Sequence, residues 1–258
     1  MADRPIIFSA PMVLALLAGR KTQTRRLVKP PKKWAEKYPL VRTDVLVGEL
    51  WCWDGVHDRA GASFPMPYEP GDRLWVRENC WSDYQGSDGN GVRYQAGGAW
   101  IKATDEERWA ALDCYAHTRH PDNATNTGQL VPSIHMPRWA SRLTLTVTDV
   151  RVQRLREISE EDARAEGATI RLECNGFQNR YPGWCMDWSR VGKLSRWGRR
   201  THNSPGKVPL TESDISLSSP SMAFASYWNE LHGAGAWDAN PHVVALTFAV
   251  ERRNIDAT

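Results

Sequence analysis

The chain has 258 residues, 41% of them hydrophobic, a formal net charge of +3, and five cysteines at Cys52, Cys80, Cys114, Cys174 and Cys185. This length and apolar content allow one large domain with a sizeable core and exclude general disorder; an odd set of widely spaced cysteines without a CxxC pair points to a reducing compartment. Charge is segregated: residues 1–50 carry ten Lys/Arg against four Asp/Glu, and residues 180–207 carry seven against one, a pattern compatible with basic patches facing a phosphate-bearing partner.

The N-terminus lacks a signal-peptide layout, and the apolar runs fall short of the ~20 residues of a membrane helix. The expectation is a soluble, cytoplasmic protein without a membrane partner. Of the thirteen tryptophans, several lie in polar or Gly/Pro-rich company, among them Trp51, Trp53, Trp184, Trp188 and Trp197. Most are expected to serve packing and some to offer stacking platforms for a base.

In chain order, Pro5–Ser9 reads as a short strand, with Ser9 as N-cap of the following run and Pro11 at an early helical position. Val13, Leu14, Leu16 and Leu17 then give a helix that ends at Gly19. Directly behind it, Arg20-Lys-Thr-Gln-Thr-Arg-Arg26 gathers an amine, two hydroxyls and three guanidinium groups. If residues 22–27 are extended, Thr22 and Thr24 share a face, and Lys21 can meet Thr24 only from the turn after Gly19. A Lys/Thr nucleophile needs a neutral amine, its pKa lowered by burial and by cations such as Arg20, Arg25 and Arg26. The alternative is a solvated basic strand, and local chemistry does not choose between Thr22 and Thr24.

Residues 30–69 are loop-rich. A Pro70-Gly-Asp turn launches a strand to Glu78, with Leu74 and Val76 on one face and Arg73, Trp75 and Arg77 on the other; arginines beside a tryptophan suggest a ligand-facing surface. Residues 85–99 are Gly-rich, 104–116 predict a helix with a capping-box-like start, and 121–133 return to loop. His135, stiffened between Pro132 and Pro137, is the histidine best placed to line a pocket, with packing as its alternative role.

Residues 142–155 alternate as a long strand, and Ser159 caps a short helix stopped by Gly167. Glu166 lies in the last turn of that helix, where a carboxylate opposes the helix dipole, so among Glu157, Glu160, Glu161, Asp162 and Glu166 it is the one to examine for acid/base work. Residues 170–220 read as an irregular insertion, 220–232 as an amphipathic helix and 243–250 as a buried strand. Cys114, His117 and His120 beside Asp113 have zinc-ligand types at C-x2-H-x2-H spacing, but without a second cluster no metal is expected. A Walker loop, a dinucleotide fingerprint, GxSxG and HExxH are all missing. The element order lacks a regular βαβ alternation and suggests an α+β fold, a mixed barrel with peripheral helices.

Four segments, Ala18–Arg26, Pro70–Glu78, Pro132–Arg142 and Ile158–Gly167, together resemble the ASCH-domain superfamily of PUA-like β-barrels, and within it the larger phage-associated and bacterial members. The likeness continues through the final helix and strand, including Trp237-Asp-Ala-Asn-Pro241. It implies one ASCH-like domain over residues 1–258, with loop-rich insertions at about 30–69, 85–128 and 170–220. Small bacterial members are amidohydrolases that remove the acetyl group of N4-acetylcytidine with a Lys, a Thr and a Glu.

The resemblance assigns these roles to Lys21, to Thr24 rather than Thr22, and to Glu166, with Glu161 as the other register. Neutral Lys21 would take the Thr24 proton, Thr24 would attack the acyl carbonyl, and Glu166 would protonate the departing N4 and then activate water; no cofactor is implied. Arg26, Trp75, Arg77, His135, Arg138 and Trp139 are the expected substrate-binding residues, contacting a modified cytosine nucleoside or base. The competing functions are a non-catalytic RNA- or DNA-binding module and a nuclease of the same superfamily.

Overall fold

The structure, a computed structural model, describes residues 2–29, 40–42, 49–53, 60–84, 89–112, 127–174, 180–186 and 217–257. Its architecture is α+β, with several sheets and few helices among the described residues. The chain divides into two compact units. The first comprises Met1–Arg20, Gly71–Val147 and Phe248–Thr258, and the second Lys21–Pro70 and Thr148–Thr247.

In the first unit, strand β1 (Asp3–Ile7) runs parallel to β6 (Arg73–Arg77), with Asp3 opposite Arg73 and Ile7 opposite Arg77. The other side of β6 pairs antiparallel with the start of β11 (Thr144–Arg154), which adjoins the end of β14 (His242–Glu251). The turn before β6 depends on Gly71, whose φ of 91° suits glycine and whose N–H bonds the Val147 carbonyl at 2.8 Å. Helix α1 (Ala10–Leu17) ends in a Schellman motif. Gly19 takes φ 69°, its N–H bonds Leu16, and the Arg20 N–H bonds Ala15, satisfying carbonyls the helix leaves unpaired.

A second sheet in this unit has the order β10 (Thr127–Val131), β7 (Cys80–Tyr84), β8 (Asn90–Tyr94), β9 (Trp100–Lys102). The expectation of a loop-rich insertion at about 85–128 is therefore corrected over β8 and β9. Gly91 is needed there because β8 and β9 approach so closely that a Cβ would lie 2.2 Å from the Ile101 carbonyl oxygen. Cys80, Val92, Tyr94, Leu112, Val131, Met136 and Ala140 form the core against this sheet. Helix α2 (Glu106–Ala110) is shorter than predicted within the described residues, and Asp105 caps it by accepting the Arg108 N–H at 2.8 Å.

In the second unit, β2 (Gln23–Leu27) pairs antiparallel with the first half of β14, Thr24 standing opposite Leu246. Ser159 accepts the Asp162 N–H to start α3 (Glu160–Glu166), and Gly167, at φ 112°, stops it. Two expectations are corrected here. Residues 170–174 and 180–186 are not irregular: β12 (Ala168–Cys174) and β13 (Arg180–Met186) form an antiparallel pair. The β-formers Thr169, Ile170, Tyr181 and Trp184, with Asn175-Gly176 between the two runs, carry that signal. The loop-rich 30–69 contains a three-stranded sheet, β3 (Leu40–Arg42), β4 (Glu49–Trp53) and β5 (Ala60–Pro65).

Helix α4 (Pro220–His232) buries Ala223, Phe224, Tyr227 and Trp228, while Met222 and Leu231, expected on the same apolar face, are exposed. In neither unit do the described strands close into a barrel: β1 pairs only with β6 and β2 only with β14. The Cys114/His117/His120 cluster and most of the insertion, residues 187–216, lie outside the described residues. Among the described residues no helix is long and apolar enough to cross a membrane.

Candidate functional site

The second unit buries a cluster of charges. Lys21, Arg25 and Glu166 have relative exposures of 1%, 4% and 3%. Lys21 precedes β2, just past the Gly19 turn, and so escapes the strand's alternation. Its amine donates to the Gln23 carbonyl at 2.8 Å, the Glu166 carbonyl at 2.9 Å and Glu166 Oε2 at 2.7 Å. The Thr22 N–H bonds the Ala165 carbonyl at 2.9 Å. The segment Lys21-Thr22 thereby supplies partners and positive charge to the C-terminal turn of α3, where the helix has unpaired carbonyls and a partial negative charge. The carboxylate that the sequence places against the helix dipole is stabilised by this amine.

Glu166 has a second cation. Arg25 Nη1 lies 3.2 Å from Glu166 Oε1, while Nη2 lies 2.7 Å from Asp162 Oδ2. Arg25 Nη1 also donates to Gln23 Oε1 at 2.5 Å, and Gln23 Nε2 donates to Asp162 Oδ1 at 3.0 Å and to Thr247 Oγ1 at 3.1 Å. Arg151 reaches Asp162 Oδ1 at 2.9 Å from the exposed rim. The Arg25 guanidinium stands 5.8 Å from the Phe224 ring centroid on α4, within cation–π range. Its Nε has no partner among the described residues.

The three acceptors of Lys21 use the three protons of an ammonium, and Thr24 Oγ1 is not one of them. Period-two alternation turns Gln23 and Arg25 to the α3 side of β2 and Thr24 and Arg26 to the other side. Thr24 is buried and Arg26 half-buried. Burial pushes the Lys21 pKa below its ordinary 10.5, neighbouring Glu166 opposes that fall, and Arg26 and Arg25 add to it. The direction is down, because removing the ammonium from water outweighs one carboxylate shared with Arg25. Glu161 is a different kind of residue: its side chain is 82% exposed and its nearest cation is Arg164, at 3.8 Å.

The other expected substrate-binding residues lie in the first unit. Arg77 stacks over Trp75 at 5.1 Å and donates from Nη2 to the Ile134 carbonyl. Arg138 is engaged by Asp3 and Asp256, each at 2.6 Å from Nη2. Asn254 Nδ2 donates to the carbonyls of Arg138, Trp139 and Ser141 at 2.9, 3.1 and 2.7 Å, holding that turn. Trp139 packs against the first unit's core, its indole N–H unpartnered among the described residues, and His135 is exposed.

Sequence reasoning singled out Lys21 and Glu166 but gave Gln23 and Asp162 no site role and treated Arg25 only as a nearby cation. Their signal was available in two spacings: Gln23 and Arg25 share a strand face, and Asp162 and Glu166 share a helix face at i,i+4. Among the described residues no group of His, Cys, Asp and Glu is arranged to hold a metal ion. No protein-family model, curated protein or solved structure matches the chain.

Proposed function

We propose that this chain is a PUA-like, ASCH-class amidohydrolase that removes an acyl group from the exocyclic N4 of cytosine nucleosides, with Lys21, Thr24 and Glu166 as its catalytic residues. The observation supporting this reading is the buried contact of Lys21 Nζ with Glu166 Oε2 at 2.7 Å. A lysine just ahead of a Thr-x-Thr strand and a glutamate from a distant helix end share one dry site, where proton transfer between them is short and water does not compete.

The resting amine is an ammonium, so the first step passes a proton from Lys21 Nζ to Glu166 Oε2. Substrate binding then exchanges the Lys21 bond to the Gln23 carbonyl for one to Thr24 Oγ1. Neutral Lys21 takes the Thr24 proton while Oγ1 attacks the acyl carbon. As the C–N4 bond breaks, protonated Glu166 delivers its proton to N4. The Glu166 carboxylate next takes a proton from water, whose oxygen attacks the acyl-threonine, and Lys21 returns its proton to Oγ1. Arg26, two residues beyond Thr24 on the same strand face, is the cation assigned to the developing oxyanion.

One observation favours a second reading, a nucleic-acid-binding module without turnover. All three Lys21 protons are already committed to acceptors other than Thr24. Incubating the protein with N4-acetylcytidine and following the ultraviolet change as cytidine forms separates the two. Release that disappears in Lys21→Ala, Thr24→Ala and Glu166→Ala is the expected result. Lack of turnover on every N4-acyl cytosine compound, with steeply salt-dependent RNA binding, would establish the binder instead.

A further inference from the structure

The second unit contains a charged pair that the proposed reaction does not use. Arg25 and Asp162 meet at 2.7 Å, and the arginine side chain is fully buried while the aspartate side chain is 14% exposed. Arg25 is fixed from four directions: by Asp162 and Glu166 of α3, by Gln23 on its own strand, and by the Phe224 ring of α4. A guanidinium held this firmly presents one donor at a set place, and that donor goes to Glu166 Oε1.

We propose that Arg25, anchored by Asp162, is the positioning residue of the Lys21–Glu166 pair: it occupies Glu166 Oε1 and so confines Lys21 to Oε2, dividing one carboxylate between two buried cations. The proposal deepens the hydrolase reading and rests on it for its consequence in turnover. A lysine with sole possession of a buried carboxylate keeps its proton; one that shares the carboxylate releases it more readily. Among the described residues, charged groups that face Lys21 include Glu166 of α3 and Arg26 and Arg25 of β2. Beyond them stand Asp162 of α3 and Arg151 of β11, while Gln23, Thr247 and Phe224 are uncharged. Deleting Arg25 removes a cation from this group and deleting Asp162 removes an anion, so the two changes move Lys21 in opposite directions.

The test is a pH titration of the Lys21 Nζ resonance in the full chain labelled with 15N-lysine, the signal assigned by its loss in Lys21→Met. Arg25→Gln leaves two carboxylates around one lysine and raises the midpoint by about one pH unit; Asp162→Asn leaves an excess cation and lowers it by about as much. Arg25→Lys, which keeps the charge, returns the midpoint toward the wild-type value. A purely structural role would move both neutralising variants the same way or not at all, and either outcome overturns the proposal. Should Arg25→Gln fail to fold, Asp162→Asn and Arg25→Lys still decide, since an unmoved or raised midpoint in Asp162→Asn is equally fatal. Absence of N4-acylcytidine turnover in the wild type would remove the hydrolase reading and leave this titration contrast to stand or fall separately.

Discussion

Lys21 and Glu166 are 145 positions apart in sequence and meet at 2.7 Å, one from the coil before an edge strand and the other from the last turn of a seven-residue helix. The contact is buried and has a second cation on its other side, so the two members are not equivalent. Replacing Lys21 by Met leaves Glu166 with Arg25. Replacing Glu166 by Gln leaves Lys21 and Arg25 with Asp162 as their nearest countercharge.

Glu166→Gln is therefore expected to lose about 3 kcal/mol or more in urea unfolding, and Lys21→Met about 1 to 2 kcal/mol. The Lys21→Met/Glu166→Gln double variant should lose less than the sum of the two single changes, because neither charge of the pair is then stranded. Equal losses for the two single variants would contradict the shared-carboxylate arrangement.

The lowered Lys21 pKa sets a sign for alkaline stability. Between its folded pKa and the ordinary 10.5, the unfolded chain holds a proton that the folded chain has released, so stability contributed by this group rises with pH across that window. Thermal unfolding of wild type and Lys21→Met, followed from neutral pH to about pH 10, should show the wild type gaining relative to the variant. A constant difference would mean that Lys21 titrates as it does in the unfolded chain.

Arg138 gives a dependence of the same sign in the first unit, at acid rather than alkaline pH. Its hydrogen bonds hold the Asp3 and Asp256 carboxyls below their ordinary 3.8. Stability from these pairs is present above that value and is lost as pH falls through the depressed ones. Arg138→Ala should flatten the acid limb of the stability curve, and the difference from wild type should shrink with added salt, since the groups are solvent-screened.

Glu78 is 1% exposed, and burial raises its pKa above the ordinary 4.5, against the pull of Arg142. Arg142 binds it in a fork at 2.8 and 3.0 Å and lies 4.0 Å from the Tyr94 ring centroid. Arg142→Leu should cost about 3 kcal/mol at neutral pH by urea unfolding. Without Arg142 the Glu78 carboxyl rises further still, so the two proteins diverge only above the wild-type folded pKa, and the cost should grow with pH from there.

Where the chain's own periodicity and punctuation decide, the sequence was legible. Gly19 ends α1, Ser159 and Gly167 bound α3, and residues 144–154 and 242–251 are strands because each signal is local and the neighbours agree. The strand pair of 168–174 with 180–186 and the strands within 30–69 were missed because Pro, Gly and Trp interrupt the alternation, and pairing with a neighbouring strand outweighs those interruptions. At the candidate site, sequence alone named Lys21 and Glu166 and required Lys21 to leave the strand direction after Gly19, which the coil at residues 20–22 does. Only the tertiary structure decided that Glu166 and not Glu161 is the buried carboxylate, that Arg25 takes its second oxygen, and that Lys21 rests on Gln23 and Glu166 rather than on Thr24. Those outcomes depend on which helix end closes over which strand edge, and burial then makes each charge seek the nearest opposite one, a choice that spacing along the chain does not contain.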